Sequence, residues 1–274
     1  MSLLGTLTSS VSALDSFTTG LDTIGNNISN INTTAFKGSS VSFADTFSGL
    51  GTQVASVSTS FSQGALSSTG NTTDLGISGN GYFIVQDPAN AGTYYATRDG
   101  QFSFNSAGFL VNQQGYEVMG LTGGTGGASP TAPATLGPIK QGTPPASTAL
   151  QSVSIDASGN VIESYSDGSS ATTNQILLDS FTNQAALTNV GNNLYSNLSG
   201  AGAVVAPASM AAATNAPGSS GLGTVHAGTL EQSNVDLTQQ FSDMITMQRA
   251  FEANARLVTI SDTILEDVVN MKTH

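Results

Sequence analysis

The sequence contains no cysteine and no tryptophan. Without thiols it can form neither a disulfide nor a thiolate-bound metal site. Histidine occurs only at His226 and at the last residue, His274, which leaves no material for a His-based triad or a multi-histidine metal site. Charge is also scarce, at 9% of residues against about 25% in an average soluble protein. Eighteen acids face six bases, for a formal net charge of −12. The bases, Lys37, Arg98, Lys140, Arg249, Arg256 and Lys272, are scattered, so neither nucleic acid nor an anionic membrane surface is an expected partner. The apolar stretch Ala203–Ala213 is too short to span a bilayer and contains Pro207, so no membrane insertion is expected. No base precedes Lys37, so the N-terminus does not read as a secretory signal, and any export is expected to use a route without a cleaved peptide.

Ser, Thr, Asn, Gln and Gly take the place of charge. A surface of that kind packs against like subunits with few charges to desolvate, a property shared with many secreted proteins.

What the chain does have is a long periodic segment at each end. From Leu237, steps of four and three pass through Phe241, Met244, Gln248, Phe251, Ala255, Val258, Asp262, Leu265 and Val269. This is a heptad-type seam, with a second apolar set at Ile245, Leu257, Ile260, Ile264 and Met271 beside it. Ser233 or Asp236 can cap this helix, with Gln239 placed to close a capping box on Asp236. Near the N-terminus Leu4, Leu7, Val11, Leu14, Thr18, Leu21, Gly25 and Ile28 repeat the pattern. The Asn-rich run Asn26, Asn27, Asn30, Asn32 is expected to end that helix near Asn30. Gly25 predicts a close backbone approach by a neighbour. Two seams at opposite ends are expected to pack together and against copies of the chain, although a terminal helix docked on its own domain is the commoner arrangement. Few local ion pairs support either helix, so the ends are expected to be loose in a monomer and to order on assembly.

Between them, Val41, Phe43, Val54, Val57 and Phe61 are spaced among Ser, Thr and Gly, which reads as an extended linker. Residues 74–225 read as β structure. The hairpins are marked by turns at Asn105–Gly108, Asp156–Asn160 and Asp167–Gly168. Gly120–Gly127 and Pro130–Pro145 read as a loop, and Ala201–Gly223 as a passage of small residues. The carboxylates Asp74, Asp99, Asp156 and Glu163 could in principle supply an acid pair for glycoside cleavage, but nothing fixes their separation and acids in hairpin-rich sequence usually occupy turns. No catalytic group, metal site or cofactor is expected. The expected fold class is α+β, with N- and C-terminal helices forming a coiled-coil-like inner domain, plus a central, mostly antiparallel β domain. Its expected parts are an N-terminal helix over 1–35, a linker over 36–72, a β domain over 73–228 and a C-terminal helix over 229–274.

Several ordered motifs carry a family resemblance. Gly25-Asn-Asn-Ile-Ser-Asn-Ile-Asn-Thr-Thr-Ala-Phe36-Lys37 with Phe43-Ala-Asp45 resembles the N-terminal signature of the bacterial flagellar rod and hook proteins, with Ala35 where Gly is more usual. Thr73-Asp-Leu75, Gly79-Asn-Gly-Tyr-Phe83, Thr97-Arg-Asp-Gly100 and Gly191-Asn-Asn-Leu-Tyr195 are similar to its central motifs. Glu231-Gln-Ser-Asn-Val-Asp236 with Gln248-Arg-Ala-Phe-Glu252 is similar to its C-terminal signature. The resemblance implies a non-enzymatic subunit that polymerises helically into a hollow tube of the extracellular flagellum. The implied partners are copies of itself, distal rod, hook cap and hook–filament junction proteins, and the flagellar type III export apparatus. Packing of the polymer core falls to Leu4, Leu7, Val11, Leu14, Leu21, Ile28, Leu237, Phe241, Met244, Phe251, Val258 and Leu265. The signature positions are Asn26, Asn27, Asn30, Phe36, Lys37, Asn234, Gln248 and Arg249. Because Phe43-Ala-Asp-Thr-Phe47 leads quickly to Phe61-Ser-Gln-Gly64, with no room for the insertion of distal rod proteins, the expected member is a short hook protein, a flexible universal joint; a rod subunit is the alternative. A secreted β-rich adhesin with a helical stalk is the alternative from another class.

Overall fold

The computed structural model describes residues 3–46, 51–90, 92–123, 135–142, 149–203, 205 and 209–272. It is an α+β protein in two units, Met1–Ser62 with Ser233–His274, and Gln63–Gln232. The chain opens with helix α1 (Leu3–Ser29) and strands β1 (Ser39–Asp45) and β2 (Thr52–Thr59). The second unit begins with β3 (Leu66–Ser68), β4 (Leu75–Ser78), β5 (Tyr82–Gln86), β6 (Tyr94–Thr97), β7 (Ser103–Phe104), β8 (Leu110–Val111) and β9 (Glu117–Thr122). It continues with β10 (Thr135–Pro138), β11 (Leu150–Ile155), β12 (Asn160–Tyr165), β13 (Ser170–Ile176), β14 (Leu178–Asp179), β15 (Thr188–Gly191) and β16 (Leu194–Ser196). The short helix α2 (Ala212–Asn215), β17 (Thr224–Ala227) and β18 (Thr229–Glu231) complete it, and helix α3 (Leu237–Lys272) returns to the first unit.

In the first unit α1 tolerates its many hydroxyls because they bond back to carbonyls one turn earlier, as Ser16 does to Ser12 and Thr18 to Leu14, both at 2.9 Å. Asp236 caps α3, its Oδ1 accepting from the amides of Thr238 (2.8 Å) and Gln239 (3.2 Å). The expected capping box does not close, because the Gln239 side-chain amide donates to Asp243 instead, at 2.8 Å. The two helices pack antiparallel. Asn27 Nδ2 donates to Gln240 Oε1 at 2.9 Å, and seven residues back along α1 a Cβ on Gly20 would lie 3.3 Å from the Met247 methyl, seven residues forward along α3.

The stripe of α1 that is buried is Ser10, Ala13, Ser16, Gly20, Ile24 and Asn27. Small residues let two helix backbones approach closely. The larger side chains of the leucine seam stand outside this stripe, with Leu7, Leu14, Leu21 and Ile28 half-buried and Val11 exposed. The close approach expected at Gly25 occurs at Gly20, since a Cβ at Gly25 would meet nothing within 4 Å. The stretch read as an extended linker holds the β1–β2 hairpin, paired from Ser39↔Thr59 to Asp45↔Thr52. It is fastened to α1 by the hydroxyls of Ser12 and Ser16, both donating to the Thr52 carbonyl, and by an edge-on Phe17–Phe43 contact with centroids 5.9 Å apart.

The second unit is built on an antiparallel sheet ordered β11-β12-β13-β9-β5-β6-β16-β15, with β8 and β10 also on β9 and β14 on β5. Two ribbons, β17–β4 and β18–β3, accompany it. Leu75, Ile77, Phe83, Val85, Leu110, Val118, Ile139 and Ile176 belong to one buried core. The hairpin turns are made as their residues dictate: Gly108, Gly159 and Gly168 take φ of 83°, 77° and 82°, and Asn105, Asp156 and Asp167 accept bonds from the amides that follow them. The reading of Gly120–Pro145 as a loop needs correction. Gly120 lies in β9, where a Cβ would sit 2.3 Å from the Gln175 carbonyl oxygen, Thr135–Pro138 pairs with it, and Ile139 is fully buried. Residues 124–134 and 143–145 of that stretch lie outside the described residues. The passage over 201–223 also contributes buried side chains, Ala201, Met210 and Leu222, and the helix α2.

Candidate assembly surface and signature clasp

The N-terminal and C-terminal signatures meet in the first unit as a hydrogen-bonded clasp. Asn27 is buried and clamps the start of β1, its Nδ2 donating to the Ser39 carbonyl at 2.7 Å and its Oδ1 accepting from the Ser39 amide at 2.9 Å. Asn234 does the same for the hairpin's other end. Its Oδ1 accepts from the Gly38 amide at 2.9 Å, and its Nδ2 donates to the carbonyls of Ser60 (2.8 Å) and Ser62 (3.0 Å). Its own amide donates to the Phe36 carbonyl at 3.3 Å. Lys37, 3% exposed, donates from Nζ to the Ser62 carbonyl at 2.8 Å. Each of these groups satisfies a backbone atom that strand pairing leaves open. Asn30 ends α1, its Nδ2 donating to the Asn26 carbonyl at 2.9 Å. Ala35, the departure from the usual Gly, adopts φ 55° and is 1% exposed.

The remaining positions define a surface. Met244, Phe251 and Val258 are half-buried along α3, as Phe36 is beside the clasp. Leu237, Phe241 and Leu265 are exposed, as are Asn26, Gln248 and Arg249. The side chain of Leu4 lies outside the described residues. Every described side chain from Asp262 to Met271 is exposed, including Val269 at 62% and Met271 at 77%. Among the described residues, the exposed large apolar side chains all lie on α1 or α3 except Val57 and Val190.

A second constellation lies inside the β unit and was not foreseen, although both of its members belong to quoted motifs. Arg98 and Glu231 are buried, and Nη1 meets Oε2 at 3.3 Å. Arg98 Nη2 also donates to the Gly79 carbonyl at 3.0 Å, and its guanidinium lies 5.0 Å from the Tyr82 ring centroid. Glu231 Oε1 accepts from the Gly64 amide at 2.9 Å. Burial pushes the Tyr82 phenol up to about 12, against the opposing pull of Arg98. Nothing in sequence separation distinguished these two charges from the other scattered ones.

The carboxylates weighed for catalysis have structural partners. Asp74 accepts from Thr69 and Asn71, Asp99 and Asp156 from turn amides, and Glu163 from the Gly142 amide and the Tyr165 hydroxyl. Among the described residues no group of three or more His, Asp or Glu side chains converges, and no helix is long and apolar enough to cross a membrane.

Both terminal helices carry exposed large apolar side chains that packing within the chain leaves uncovered. Three family profiles match the chain: "Flagella basal body rod protein" over residues 7–37, "Flagellar hook protein FlgE/F/G D1 domain" over 76–163, and "Flagellar basal body rod FlgEFG protein C-terminal" over 226–271. The flagellar basal-body rod protein FlgG of Bacillus subtilis is 37% identical over 98% of this chain and 100% of its own length. FlgG of Borreliella burgdorferi is 32% identical over 92% of each chain. The flagellar hook protein FlgE of Salmonella typhimurium is 26% identical over 96% of this chain and 98% of its own, in an alignment of 408 residues. The chain therefore belongs to the flagellar rod and hook family of axial proteins. It is a structural subunit of the flagellum and not an enzyme.

Proposed function

We propose that this chain is a rod-type subunit, polymerising helically through α1 and α3 into a hollow tube within the flagellar axis. The observation that carries polymerisation is the concentration of exposed Val11, Phe241, Ile245, Leu257, Ile260 and Ile264 on the two helices. Each such side chain gains on the order of 1 kcal/mol when a neighbour covers its exposed half. Full-length matches to rod proteins, at 37% and 32% identity, favour a rod over the hook expected from the short segment between Phe43 and Gly64. The hook reading keeps two supports: the β1–β2 hairpin, its strands ending at Thr59, and the 26% identical match to FlgE. Export through the flagellum's own apparatus, without a cleaved signal, and contact with neighbouring rod, cap and junction proteins accompany either reading.

Electron microscopy of polymers grown from the purified chain tests both points. Straight, stiff tubes of open-ended length are expected of a rod; curved, bendable tubes would restore the hook reading. A species of fixed small mass would remove polymerisation and favour the stalked adhesin. Amide exchange is expected to be faster in α1 and α3 of the monomer than of the polymer, in line with termini that order on assembly.

A further inference from the structure

Outside the stripe that α1 turns toward α3 lies a second pattern that the in-chain helix pair does not use. Asp15 and Asp22 are exposed on α1, seven residues apart; Arg249 and Arg256 are exposed on α3, also seven apart. Seven residues is two turns, so each pair presents its charges along one side of its helix about 10.5 Å apart. Arg249 has only a loose 3.8 Å contact with Glu252, both side chains well exposed. Among the described residues Asp15, Asp22 and Arg256 form no salt bridge. A set of exposed and half-buried apolar residues obeys the same rule. Setting Asp22 level with Arg249 and Asp15 level with Arg256, antiparallel, also sets Leu14 beside Leu257, Val11 beside Ile260 and Leu7 beside Ile264. Val11, Leu257, Ile260 and Ile264 are 53%, 51%, 53% and 42% exposed.

This register is not the in-chain one. Within the chain Asn27 is level with Gln240 and Gly20 with Met247, which places Arg249 level with Thr18 rather than with Asp22. The two registers differ by four residues, about 6 Å along the helix. We propose that the outward side of α1 receives α3 of a second copy of this chain, lying in the same orientation but stepped by about one helical turn. The contact carries an apolar half (Leu7, Val11 and Leu14 with Ile264, Ile260 and Leu257) and a charged half (Asp15 and Asp22 with Arg256 and Arg249). It is heterologous, and because each copy offers both surfaces it repeats from copy to copy, into an open helix where the rotation does not close. It rests on the polymerisation reading and gives that reading a residue register.

The absence of cysteine makes a direct test available. Val11→Cys with Ile260→Cys in one full-length chain, oxidised under polymerising conditions, is expected to give a ladder of covalent multiples. An equimolar mixture of the two single variants is expected to stop at dimers joining one of each. Val11→Cys with Ile245→Cys, exposed but out of register, is expected to give no ladder. In parallel, D15K/D22K and R249E/R256E are each expected to raise the concentration needed for polymer at least tenfold, and the four-fold charge swap to bring it back to within about threefold. Circular dichroism checks that each variant is folded. Polymers with no ladder and no response to charge reversal would overturn the register and leave polymerisation standing. A wild-type chain that forms no polymer, with no ladder from the paired variant, would overturn both.

Discussion

Arg98 and Glu231, 133 positions apart in the chain, form a buried ion pair at 3.3 Å. Neither is more than 4% exposed, and the charges lean on supplementary partners, Gly79 and Tyr82 for Arg98 and Gly64 for Glu231. Removing one partner leaves the other charge buried and uncompensated, which costs about 3–5 kcal/mol. Arg98→Met and Glu231→Gln are each expected to destabilise the β unit by an amount in that range, and the double variant by less than their sum. Urea denaturation followed by near-ultraviolet circular dichroism of the tyrosines measures all three.

The clasp gives a second expectation. Asn27→Ala orphans both the amide and the carbonyl of Ser39, and Asn234→Ala removes the acceptor for Gly38 and the donor to Ser60 and Ser62. Gly38 and Ser39 are half-buried, so each lost bond costs about 0.5–1.5 kcal/mol. Amide exchange at Ser39 in the Asn27 variant, and at Gly38 in the Asn234 variant, is expected to quicken by at least tenfold, with the β unit unaffected.

Asp179 sets a pH dependence. It is fully buried, only one of its oxygens has a partner, and desolvation raises its pKa from 3.8 to about 6. The folded chain therefore holds this proton more tightly than the unfolded one. The group's contribution to stability is full below about pH 4, is lost as pH rises through about 6, and stays lost above. Asp179→Asn is expected to stabilise the protein by about 1–3 kcal/mol at pH 7.5 and to give no gain at pH 3.5. Thermal melts at the two pH values decide it.

Ala35 occupies the left-handed backbone region at φ 55° with its methyl buried. The conformation costs an alanine about 1 kcal/mol, while the buried methyl returns a comparable amount. Ala35→Gly is therefore expected to be neutral to within about 1 kcal/mol. Ala35→Val, whose branched side chain tolerates neither the dihedral nor the space, is expected to lose more than 2 kcal/mol. Chemical denaturation of the first unit compares the two.

Much of this molecule is legible in its sequence because local chemistry decides it. Asp156-Ala-Ser-Gly-Asn160 makes its turn from an Asp acceptor and a left-handed Gly, and Asp236 caps α3 with its own carboxylate. Heptad spacing located both terminal helices, but not which side of α1 faces α3, because the periodicity of large residues is blind to a stripe of Ser, Ala and Gly. Asn27 reads as an eroder of helix until Ser39 and Gln240 are seen against it. Ile139 was hidden by neighbours whose Pro, Gly and Thr content signals a loop. Arg98 and Glu231 meet only through the sheet's topology, which no local signal encodes.

The stripe of Ser10, Ala13, Ser16 and Gly20 divides α1 lengthwise into two independent tenants. Among the described residues, no hydrogen bond or ion pair between α1 and α3 runs through the exposed Val11, Asp15 or Asp22. On the proposed contact, recognition of neighbours can thus drift, or be rewritten in the laboratory, while the individual molecule keeps its shape, and a folded but solitary version of this protein is expected from a few outward replacements.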